Sequence, residues 1–403
     1  MRSLVVTKIF PNAEEPMLGP YNRLKFGALN RRGPVTLLAM VPWLPGIRRF
    51  GPAASRRRAR IPRRERVDDL WVRHPRVLYA PKVGRPLSGA LYAASLLPWV
   101  MPLRGQVDVV IGSFAYPDGF AAVVVGRLLG VPTVIECLGS DVNVLGADPL
   151  LIPALRWSFA RAAAVVAPSQ PLIDKVVALG ADPARVRVMG TGIDKDLFCV
   201  RDAVSTRAAL GFTACADRRW FVFVGRLERA KGALDLLEAL ARLRPDQRDR
   251  LQLVMVGDGA DRAACEAAAA GLPVHFTGVV APPLVADWLA AADVMVLPSW
   301  AEGKPNVVLE ALTCGRRVLA TDVGGIPSVV DRPELGTLVP PRDPARLAVA
   351  LAEELERPRA DAASIAAAVA HLPSWDDVGA ELYEVLRGVA SRNRPVEGSR
   401  VSA

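Results

Sequence analysis

The side chains best suited to chemistry are two carboxylates, Glu302 and Glu310, in the stretch PSWAEGKPNVVLEA at residues 298–311. A β-branched run at 293–297 predicts a buried strand, and the prolines and glycine after it predict a loop that leads into a helix. Pro305 suits the first helical position, because a proline there lacks only an N–H that has no partner inside the helix. Glu310 would then lie about 12 Å along the helix from Glu302, and the pair could hold the hydroxyl groups of one elongated ligand.

The start of the same helix suits an anion. The backbone N–H groups of Asn306 and Val307 would have no partner inside the helix and would point outward. Together with the helix dipole they would attract a diphosphate. The stretch therefore predicts a nucleotide-sugar site.

Other anion-binding groups follow predicted strands of the same half of the chain, at the edge where open parallel sheets bind ligands. Gly225, Arg226 and then Lys231 follow one strand, and a planar guanidinium with a compact ammonium suits a diphosphate. The tripeptide Gly257-Asp258-Gly259 and the pair Gly324-Gly325 follow two other strands, where glycine lets a ligand approach the backbone. Each loop alone is explained by ordinary turn chemistry, whereas their joint occurrence favours a binding site.

The elements that must position these groups alternate between strand and helix twice, which predicts an α/β fold with two parallel sheets covered by helices. The chain has 403 residues and 51 % apolar content, enough for two cores. A glycine-containing, charged segment at 190–201 predicts the boundary between a domain at 1–190 and a second at 191–373. Strands are predicted at 4–10, 35–41, 107–111, 133–136, 163–167 and 186–189, and then at 220–224, 251–256, 274–276, 293–297, 317–320 and 337–339.

Composition argues against several classes of protein. The longest apolar stretch, 90–103, contains two prolines and is too short to cross a bilayer, and the N-terminal run does not fit a signal peptide. The five cysteines are scattered and the three histidines lie far apart, which predicts neither a disulfide framework nor a metal site. We therefore expect a cytoplasmic protein that needs no metal or cofactor.

The formal net charge is +10, and residues 48–66, here called the basic arm, carry much of the excess. One interpretation is contact with anionic lipid headgroups at the inner face of the cell membrane, or with a diphosphate-bearing acceptor. The other is a solvated loop. Nucleic acid is disfavoured, because the arm contains a single aromatic residue, Phe50, and no nucleic-acid-binding module accompanies it. The arginines of the arm are Arg48, Arg49, Arg56, Arg57, Arg58, Arg60, Arg63, Arg64 and Arg66.

Taken together, the motifs of the second half resemble family-4 retaining glycosyltransferases, most strongly over residues 221–330. In the first half, Tyr116-Pro117-Asp118-Gly119 and Gly139-Ser140-Asp141-Val142-Asn143 are similar to bacterial members that build cell-surface polysaccharides. The resemblance implies the GT-B fold, in which two Rossmann-like domains face each other across a cleft and the C-terminal one binds the donor. It also implies a final helix, 374–391, that crosses back to the first domain.

The resemblance implies transfer of a sugar from a nucleotide-diphosphate donor, such as a UDP- or GDP-sugar, to a hydroxyl of a glycan or lipid-linked acceptor, with retention. Arg226 and Lys231 would neutralise the diphosphate in place of a metal, Glu302 would contact the sugar and Glu310 the ribose. We count Glu302, Arg226 and Lys231 as catalytic. Further donor contacts would come from Gly19, Gly225, Gly257, Asp258, Gly303, Asn306 and Val307, and acceptor contacts from Asp141, Ser140 and Tyr116.

Three positions depart from the family pattern. Leu138 stands where many relatives carry a histidine that touches the sugar and phosphate. Gly19 stands alone where many members have two glycines, and Ser328 replaces a carboxylate that often follows the double glycine. These departures weaken the first-domain part of the site and leave the Arg226, Lys231, Glu302 and Glu310 set intact.

Two other functions stay open. A nucleotide-sugar epimerase with the same fold would need several acid or base groups around the sugar, and this chain offers few. A non-catalytic protein that binds a membrane or an anion would explain the basic arm but not the donor-site residues. A dinucleotide oxidoreductase is disfavoured, because the glycine fingerprint is missing after the first strand.

Overall fold

The computed structural model describes residues 1–44, 52–79, 82–212 and 217–392. Arg48 and Arg49 of the basic arm lie outside the described residues. The chain divides into two compact units. Unit 1 contains Met1–Gly192 and the final helix, and unit 2 contains Ile193–Ser374.

Unit 1 is built on a largely parallel sheet with the strand order β10-β9-β8-β7-β1-β2-β5-β4 in its described part. The central strand β7 is buried along its whole length, as expected for a β-branched run covered on both faces. The strands of unit 1 are β1 (Ser3–Thr7), β2 (Val35–Ala39), β3 (Val41–Trp43), β4 (Arg64–Val67), β5 (Leu70–Arg73), β6 (Arg76–Leu78), β7 (Val109–Ser113), β8 (Thr133–Glu136), β9 (Ala164–Ala167) and β10 (Val186–Val188). The helices that precede unit 2 are α1 (Pro20–Arg32), α2 (Ala53–Arg58), α3 (Ser88–Val100), α4 (Phe120–Leu129), α5 (Ser140–Asn143), α6 (Ile152–Arg161) and α7 (Gln170–Ala178).

Unit 2 is built on a parallel sheet with the strand order β13-β12-β11-β14-β15-β16 in its described part. Phe221 of β11 lies opposite both Leu253 of β12 and Val294 of β14, so β11 is central. Its strands are β11 (Arg219–Val224), β12 (Leu251–Val256), β13 (Val274–Gly278), β14 (Val294–Leu297), β15 (Arg317–Thr321) and β16 (Gly336–Val339). Its helices are α8 (Ala203–Ala209), α9 (Ala233–Ala241), α10 (Pro245–Asp249), α11 (Arg262–Ala268), α12 (Pro282–Ala291), α13 (Asn306–Thr313), α14 (Pro344–Glu356) and α15 (Ala362–Ala368).

The final helix, α16 (Trp375–Arg392), belongs to unit 1, as the resemblance predicted. It packs along α1, where Gly379 lies so close to Ala28 that an added Cβ would approach the Ala28 Cβ to 2.5 Å. The ring of Trp375 stacks on Tyr21 with 5.8 Å between centroids.

The two sheets, one in each unit, confirm the predicted α/β class with two Rossmann-like sheets.

The described part of the basic arm is not a simple solvated loop. Arg56, Arg57 and Arg58 lie in α2, and Arg64 lies in β4, which pairs antiparallel with β5 at the edge of the sheet. The guanidinium of Arg64 lies 4.0 Å from the centroid of the Trp71 ring. The pattern of charged residues concealed this strand, because exposed edge strands are often arginine- or lysine-rich to prevent pairing with other chains.

A bilayer-crossing helix would need a long apolar run. Across residues 1–44, 52–79, 82–212 and 217–392, no helix is both long and apolar enough to span a membrane.

Candidate functional site

The strand order of unit 2 changes direction beside β11. Strands β12 and β13 extend from one edge of β11, and β14, β15 and β16 extend from the other. In open α/β sheets a ligand crevice forms at such a switch point, outside the carboxyl ends of the strands. Residues 225–232 follow β11 and residues 298–305 follow β14, and we call them the switch-point loops. The predicted residues Arg226, Lys231 and Glu302 lie on them.

An ion pair joins the two switch-point loops. The Lys231 Nζ lies 2.6 Å from Glu302 Oε1, and the two side chains are 25 % and 9 % exposed. A tight turn at Arg229–Lys231 presents Lys231, and it ends at Gly232, whose φ is 68°. A Cβ at Gly232 would lie 2.0 Å from the Pro298 carbonyl oxygen, so only glycine allows the loops to approach this closely.

A third loop fixes the backbone of the glutamate. The Gly325 N–H donates to the Gly303 carbonyl oxygen at 2.6 Å. A Cβ at Gly324, where φ is 59°, would lie 2.1 Å from the Glu302 carbonyl oxygen. The double glycine thus serves the contact between two loops. Ser328, the departure from the family pattern, donates to the Gly325 carbonyl oxygen at 2.8 Å and so completes the turn.

The glycines after β12 also serve loop packing. A Cβ at Gly257 would lie 2.0 Å from the Gly225 carbonyl oxygen, and one at Gly259 would lie 2.3 Å from the Leu227 carbonyl oxygen. The exposed Asp258 accepts a hydrogen bond from the Gly259 N–H at 2.8 Å. This accounts for the glycines without a ligand, and close approach of a ligand to this backbone remains a prediction.

Arg226 is not brought to the Lys231–Glu302 pair in this structure. Its side chain is 69 % exposed, and its Nη1 lies 2.9 Å from Glu228 Oε1. An exposed pair of this kind contributes little to stability, about 0–1 kcal/mol. The guanidinium is therefore free to exchange Glu228 for an anionic ligand at small cost.

The helix α13 begins one residue later than predicted. Pro305 is the N-cap, with φ −72° and ψ 121°, and Asn306 is the first helical residue. The extended conformation of Pro305 positions its carbonyl oxygen to accept from the Val308 N–H at 3.1 Å. The N–H groups of Asn306 and Val307 still fall in the first turn, where helices have no internal partners. Glu310 is 4 % exposed in the same helix.

Trp300, in the loop after β14, and Arg342, which contacts its ring, were not predicted as site residues from the sequence. The Trp300 Nε1 donates to Asp235 Oδ2 of α9 at 2.7 Å, and the Arg342 guanidinium lies 4.4 Å from the centroid of the Trp300 ring. A tryptophan in a loop between two motif residues was the available signal, because a half-buried indole N–H usually has a partner.

Lys304 was also missed. Burial lowers its pKa, and the described residues offer its ammonium no hydrogen bond or ion pair. It adds a cation directly ahead of the α13 N-terminus. In the sequence it looked like a spacer within the motif.

In unit 1, two of the predicted acceptor-side residues, Asp141 and Tyr116, form hydrogen bonds with backbone groups. The Asp141 carboxylate is fully buried and accepts from the N–H groups of Ala115 at 2.7 Å, Gly139 at 2.8 Å and Leu138 at 3.0 Å. Burial raises its pKa, and these N–H groups oppose that rise. These contacts are those of an aspartate that caps a turn.

The Tyr116 hydroxyl is similarly occupied. It accepts from the Gly89 N–H at 2.9 Å and lies 2.6 Å from the Pro86 carbonyl oxygen, and the residue is 3 % exposed. Ser140 is exposed at the start of α5. Gly19, with φ 65°, precedes α1, and a Cβ there would lie 2.5 Å from the Ile9 side chain. Ser140 is thus the accessible member of the predicted acceptor set.

The two Rossmann-like units, with charged loops at the switch point of unit 2, match the GT-B fold. Family models match both halves. The model described as "Glycosyl transferases group 1" covers residues 218–357, and the model described as "Glycosyltransferase Family 4" covers residues 33–197.

Curated relatives and a solved structure agree with this assignment. The chain is 33 % identical over 319 residues to D-inositol 3-phosphate glycosyltransferase 1 of Catenulispora acidiphila, covering 72 % of this chain and 75 % of the relative. It is 29 % identical over 374 residues to a Bacillus subtilis protein named as the teichuronic acid biosynthesis glycosyltransferase TuaC, covering 87 % and 88 % of the two chains. The crystal structure of Anabaena HepE in complex with UDP aligns with a TM-score of 0.72 at 19 % identity, covering 96 % of this chain and all of that one. The chain belongs to the family-4 glycosyltransferases of the GT-B fold.

Proposed function

We propose that this glycosyltransferase moves a sugar from a nucleotide-diphosphate donor, bound at the switch-point loops of unit 2, to a hydroxyl of a glycan or lipid-linked acceptor, with retention at the anomeric carbon. The observation that carries the proposal is the Lys231–Glu302 pair at 2.6 Å. It places a cation and a carboxylate side by side where open α/β sheets bind ligands. An anionic diphosphate attached to a polyhydroxy sugar matches both groups.

The donor would be held by charge and by hydroxyl contacts. Lys231 would move from Glu302 to the diphosphate, and Arg226 would exchange Glu228 for it. Lys304 and the first-turn N–H groups of α13 would add positive potential at the same place. Glu302 would then accept from sugar hydroxyls, and Glu310 from the ribose.

This arrangement supports metal-independent departure of the nucleotide diphosphate. Cations placed at the developing charge stabilise it in the transition state, a task that a divalent ion performs in other transferases. With Lys231 moved to the diphosphate, Glu302 would accept hydrogen bonds from the sugar hydroxyls and so serve as an organising carboxylate, not as a nucleophile. We therefore favour departure and attack on the same face through an oxocarbenium-like transition state. The anomeric configuration of the product, read by NMR, tests retention directly.

The relatives suggest a setting. TuaC is named for teichuronic acid biosynthesis, and other relatives are named for transfer to D-inositol 3-phosphate. HepE has been crystallised with UDP-glucose. By analogy, we propose a UDP- or GDP-sugar donor, an acceptor in cell-surface polysaccharide or glycolipid synthesis, and a cytoplasmic location beside the membrane.

The proposal is tested by incubating the purified full chain with UDP-, GDP- and ADP-sugars and with short-glycan or lipid-linked acceptors. We expect Lys231→Ala to reduce transfer about a hundredfold or more, and Glu310→Ala to weaken donor binding while the fold persists. Arg229→Ala removes a neighbouring exposed cation from the same turn and should leave transfer nearly unchanged. Unchanged transfer in both site variants would refute the assignment.

The same assay separates the alternatives. Epimerised donor that accumulates without any acceptor would favour the isomerase. Donor binding without turnover, on every acceptor tried, would favour a non-catalytic anion-binding protein.

A further inference from the structure

A ligand-sized cavity lies within unit 1, beyond the carboxyl ends of β1 and β2. Its volume is about 350 Å³, within the range of small-molecule sites. Lys8 follows β1 and Met40 follows β2, and the other polar or charged lining residues include Arg58 of α2, Tyr92 of α3, Glu15 and His74. Its lining includes none of the predicted acceptor-side residues.

Lys8 brings to this cavity a positive charge that has no direct ion pair among the described residues. Within the described residues its ammonium has neither a hydrogen bond nor an ion pair, and it lies 4.2 Å from the centroid of the Phe114 ring. The nearby Asp118 carboxyl accepts from the Lys8 backbone N–H at 2.7 Å. Complete burial raises the pKa of Asp118 to about 7, so its negative charge near neutral pH is only partial.

Arg58 adds a second cation that is only partly neutralised. Its Nε lies 2.9 Å from Glu15 Oε2, and the Arg57 Nη2 lies 3.3 Å from Glu15 Oε1. Two guanidinium groups therefore share one carboxylate, which is 12 % exposed. Among the charged side chains that line the cavity, the cations Lys8 and Arg58 face the single carboxylate of Glu15, so the lining carries a net positive charge.

Tyr92 supplies a neutral donor. Its hydroxyl has no hydrogen-bond partner among the residues that the structure describes, although the side chain is 3 % exposed. Burial raises its pKa well above the usual value, so the hydroxyl keeps its proton. His74, which also lines the cavity, is already held by the Ala39 carbonyl oxygen at 3.0 Å and by Glu65 Oε1 at 2.7 Å.

We propose that this unit 1 cavity binds a phosphate group carried by the acceptor, with Lys8 and Arg58 as its cations and the Tyr92 hydroxyl as a neutral donor. The inference rests on the proposed transferase function, which it deepens by naming an anionic acceptor. A soluble sugar phosphate and a lipid-linked phosphate present the same chemistry to these groups.

The test is calorimetric titration of the full chain with a hexose 1-phosphate, with the matched neutral hexose, and with a short-chain phosphatidic acid below its micelle concentration. We expect the phosphates to bind and the neutral hexose to bind at least about tenfold more weakly. Lys8→Met and Arg58→Gln should each weaken phosphate binding about tenfold or more. Tyr92→Phe, which removes only the hydroxyl, should weaken it less.

Arg56→Gln is the matched control, because Arg56 lies on the same helix and does not line the cavity. It should change phosphate binding less than about twofold. Binding that survives both Lys8→Met and Arg58→Gln overturns the proposal. The proposal is also overturned if Lys8→Met weakens binding of the free nucleotide diphosphate more than binding of the hexose phosphate, because Lys8 would then serve the donor.

Lys231→Ala separates this proposal from the donor site. Hexose phosphate binding that is unchanged in Lys231→Ala, together with lost binding of the nucleotide diphosphate, supports two sites. If nucleotide binds the wild type and the phosphates do not, the cavity proposal fails and the donor proposal stands. If the phosphates bind and no nucleotide or nucleotide-sugar binds, the donor proposal fails and the binding of phosphate to the cavity stands. Competition between phosphatidic acid and hexose phosphate indicates a lipid-linked source, and binding of the hexose phosphate alone indicates a soluble one.

Discussion

The ion pair between Lys231 and Glu302 ties together the two loops on which the proposed donor site depends. With the carboxylate 9 % exposed and the lysine 25 % exposed, removal of either partner leaves the other partly desolvated. We expect Lys231→Met to lower the free energy of unfolding by about 1–3 kcal/mol, the usual cost of an unsatisfied buried polar group. Urea unfolding of the full chain measures the change.

The double variant Lys231→Met/Glu302→Gln provides the control for this pair. It should recover part of the loss, because neither charge is then left without its partner. If the double variant loses as much unfolding free energy as Lys231→Met and Glu302→Gln lose in sum, the two residues are not coupled.

Asp118 predicts a pH dependence that is independent of any ligand. Burial raises its pKa from 3.8 to about 7, so the native state binds this proton more tightly than the unfolded state. The contribution of Asp118 to stability therefore falls as pH rises from about 4 to about 7 and is level above that. The shift corresponds to at most about 4 kcal/mol.

Asp118→Asn abolishes this titration. Between pH 5 and pH 8 the wild type should lose stability relative to Asp118→Asn, because only the wild type has this carboxyl to deprotonate. Urea unfolding at each pH measures the difference. Asp69→Asn, at an exposed position with 77 % side-chain exposure, should show no such trend. A difference that stays constant with pH would contradict the raised pKa.

Among the elements, those with continuous apolar patterns could be predicted from the sequence. The strand β12 (Leu251–Val256) falls at the predicted residues, because a mostly apolar run of this length that is buried on both faces has few alternatives. The short strands β3 to β6 were missed. The first three residues of β4 are all charged, so the strand shows no alternation of polar and apolar residues. Its pairing with β5 depends on contacts such as Arg64 on Trp71 that no local pattern reveals.

The candidate site also has parts that could be predicted from the sequence and parts that could not. The loops that carry Arg226, Lys231 and Glu302 could be located, because each follows a recognisable strand. Which side chains meet could not be predicted, since the Lys231–Glu302 pair depends on a left-handed Gly232 and on close contact with Pro298. The burial of Asp141 was likewise hidden, because three backbone N–H groups from two segments converge on it.

The packing of α16 on α1 gives a prediction at this scale. An added Cβ at Gly379 would lie 2.5 Å from the Ala28 Cβ and 2.9 Å from its carbonyl carbon. We therefore expect Gly379→Ala to destabilise the protein by about 1–3 kcal/mol through overpacking. Gly388 lies in the same helix with no atom within 4 Å of the added Cβ, so Gly388→Ala should stabilise by about 0.5–1 kcal/mol. Thermal or urea unfolding compares the two, and equal effects would show that α16 is not held tightly against α1.

Across the whole molecule, composition gives the net charge but does not show where the individual charges lie or which of them pair. The net charge of +10 includes many arginines that pair locally, such as Arg317 with Glu354 at 2.9 Å in a buried site of unit 2. Among the described arginines of the basic arm, Arg64 lies over the Trp71 ring and Arg66 Nη2 lies 3.5 Å from Asp69 Oδ1. Arg57 and Arg58 bind Glu15, whereas Arg56, Arg60 and Arg63 are exposed and have no ion pair within the described ranges.

These three exposed arginines decide between the two interpretations of the basic arm. If the arm contacts a membrane, the triple variant Arg56→Gln/Arg60→Gln/Arg63→Gln should bind vesicles of phosphatidylcholine and phosphatidylglycerol about a hundredfold more weakly at low salt, at about 1 kcal/mol per arginine. Raising the ionic strength should shrink the difference, since the Debye length falls from about 30 Å at 0.01 M to about 8 Å at 0.15 M. Sedimentation with vesicles measures both effects. The control triple Arg104→Gln/Arg127→Gln/Arg156→Gln removes the same charge from exposed positions elsewhere in unit 1. An equal loss in the control would mean that net charge alone drives the binding, and no binding by the wild type would favour the solvated interpretation of the arm.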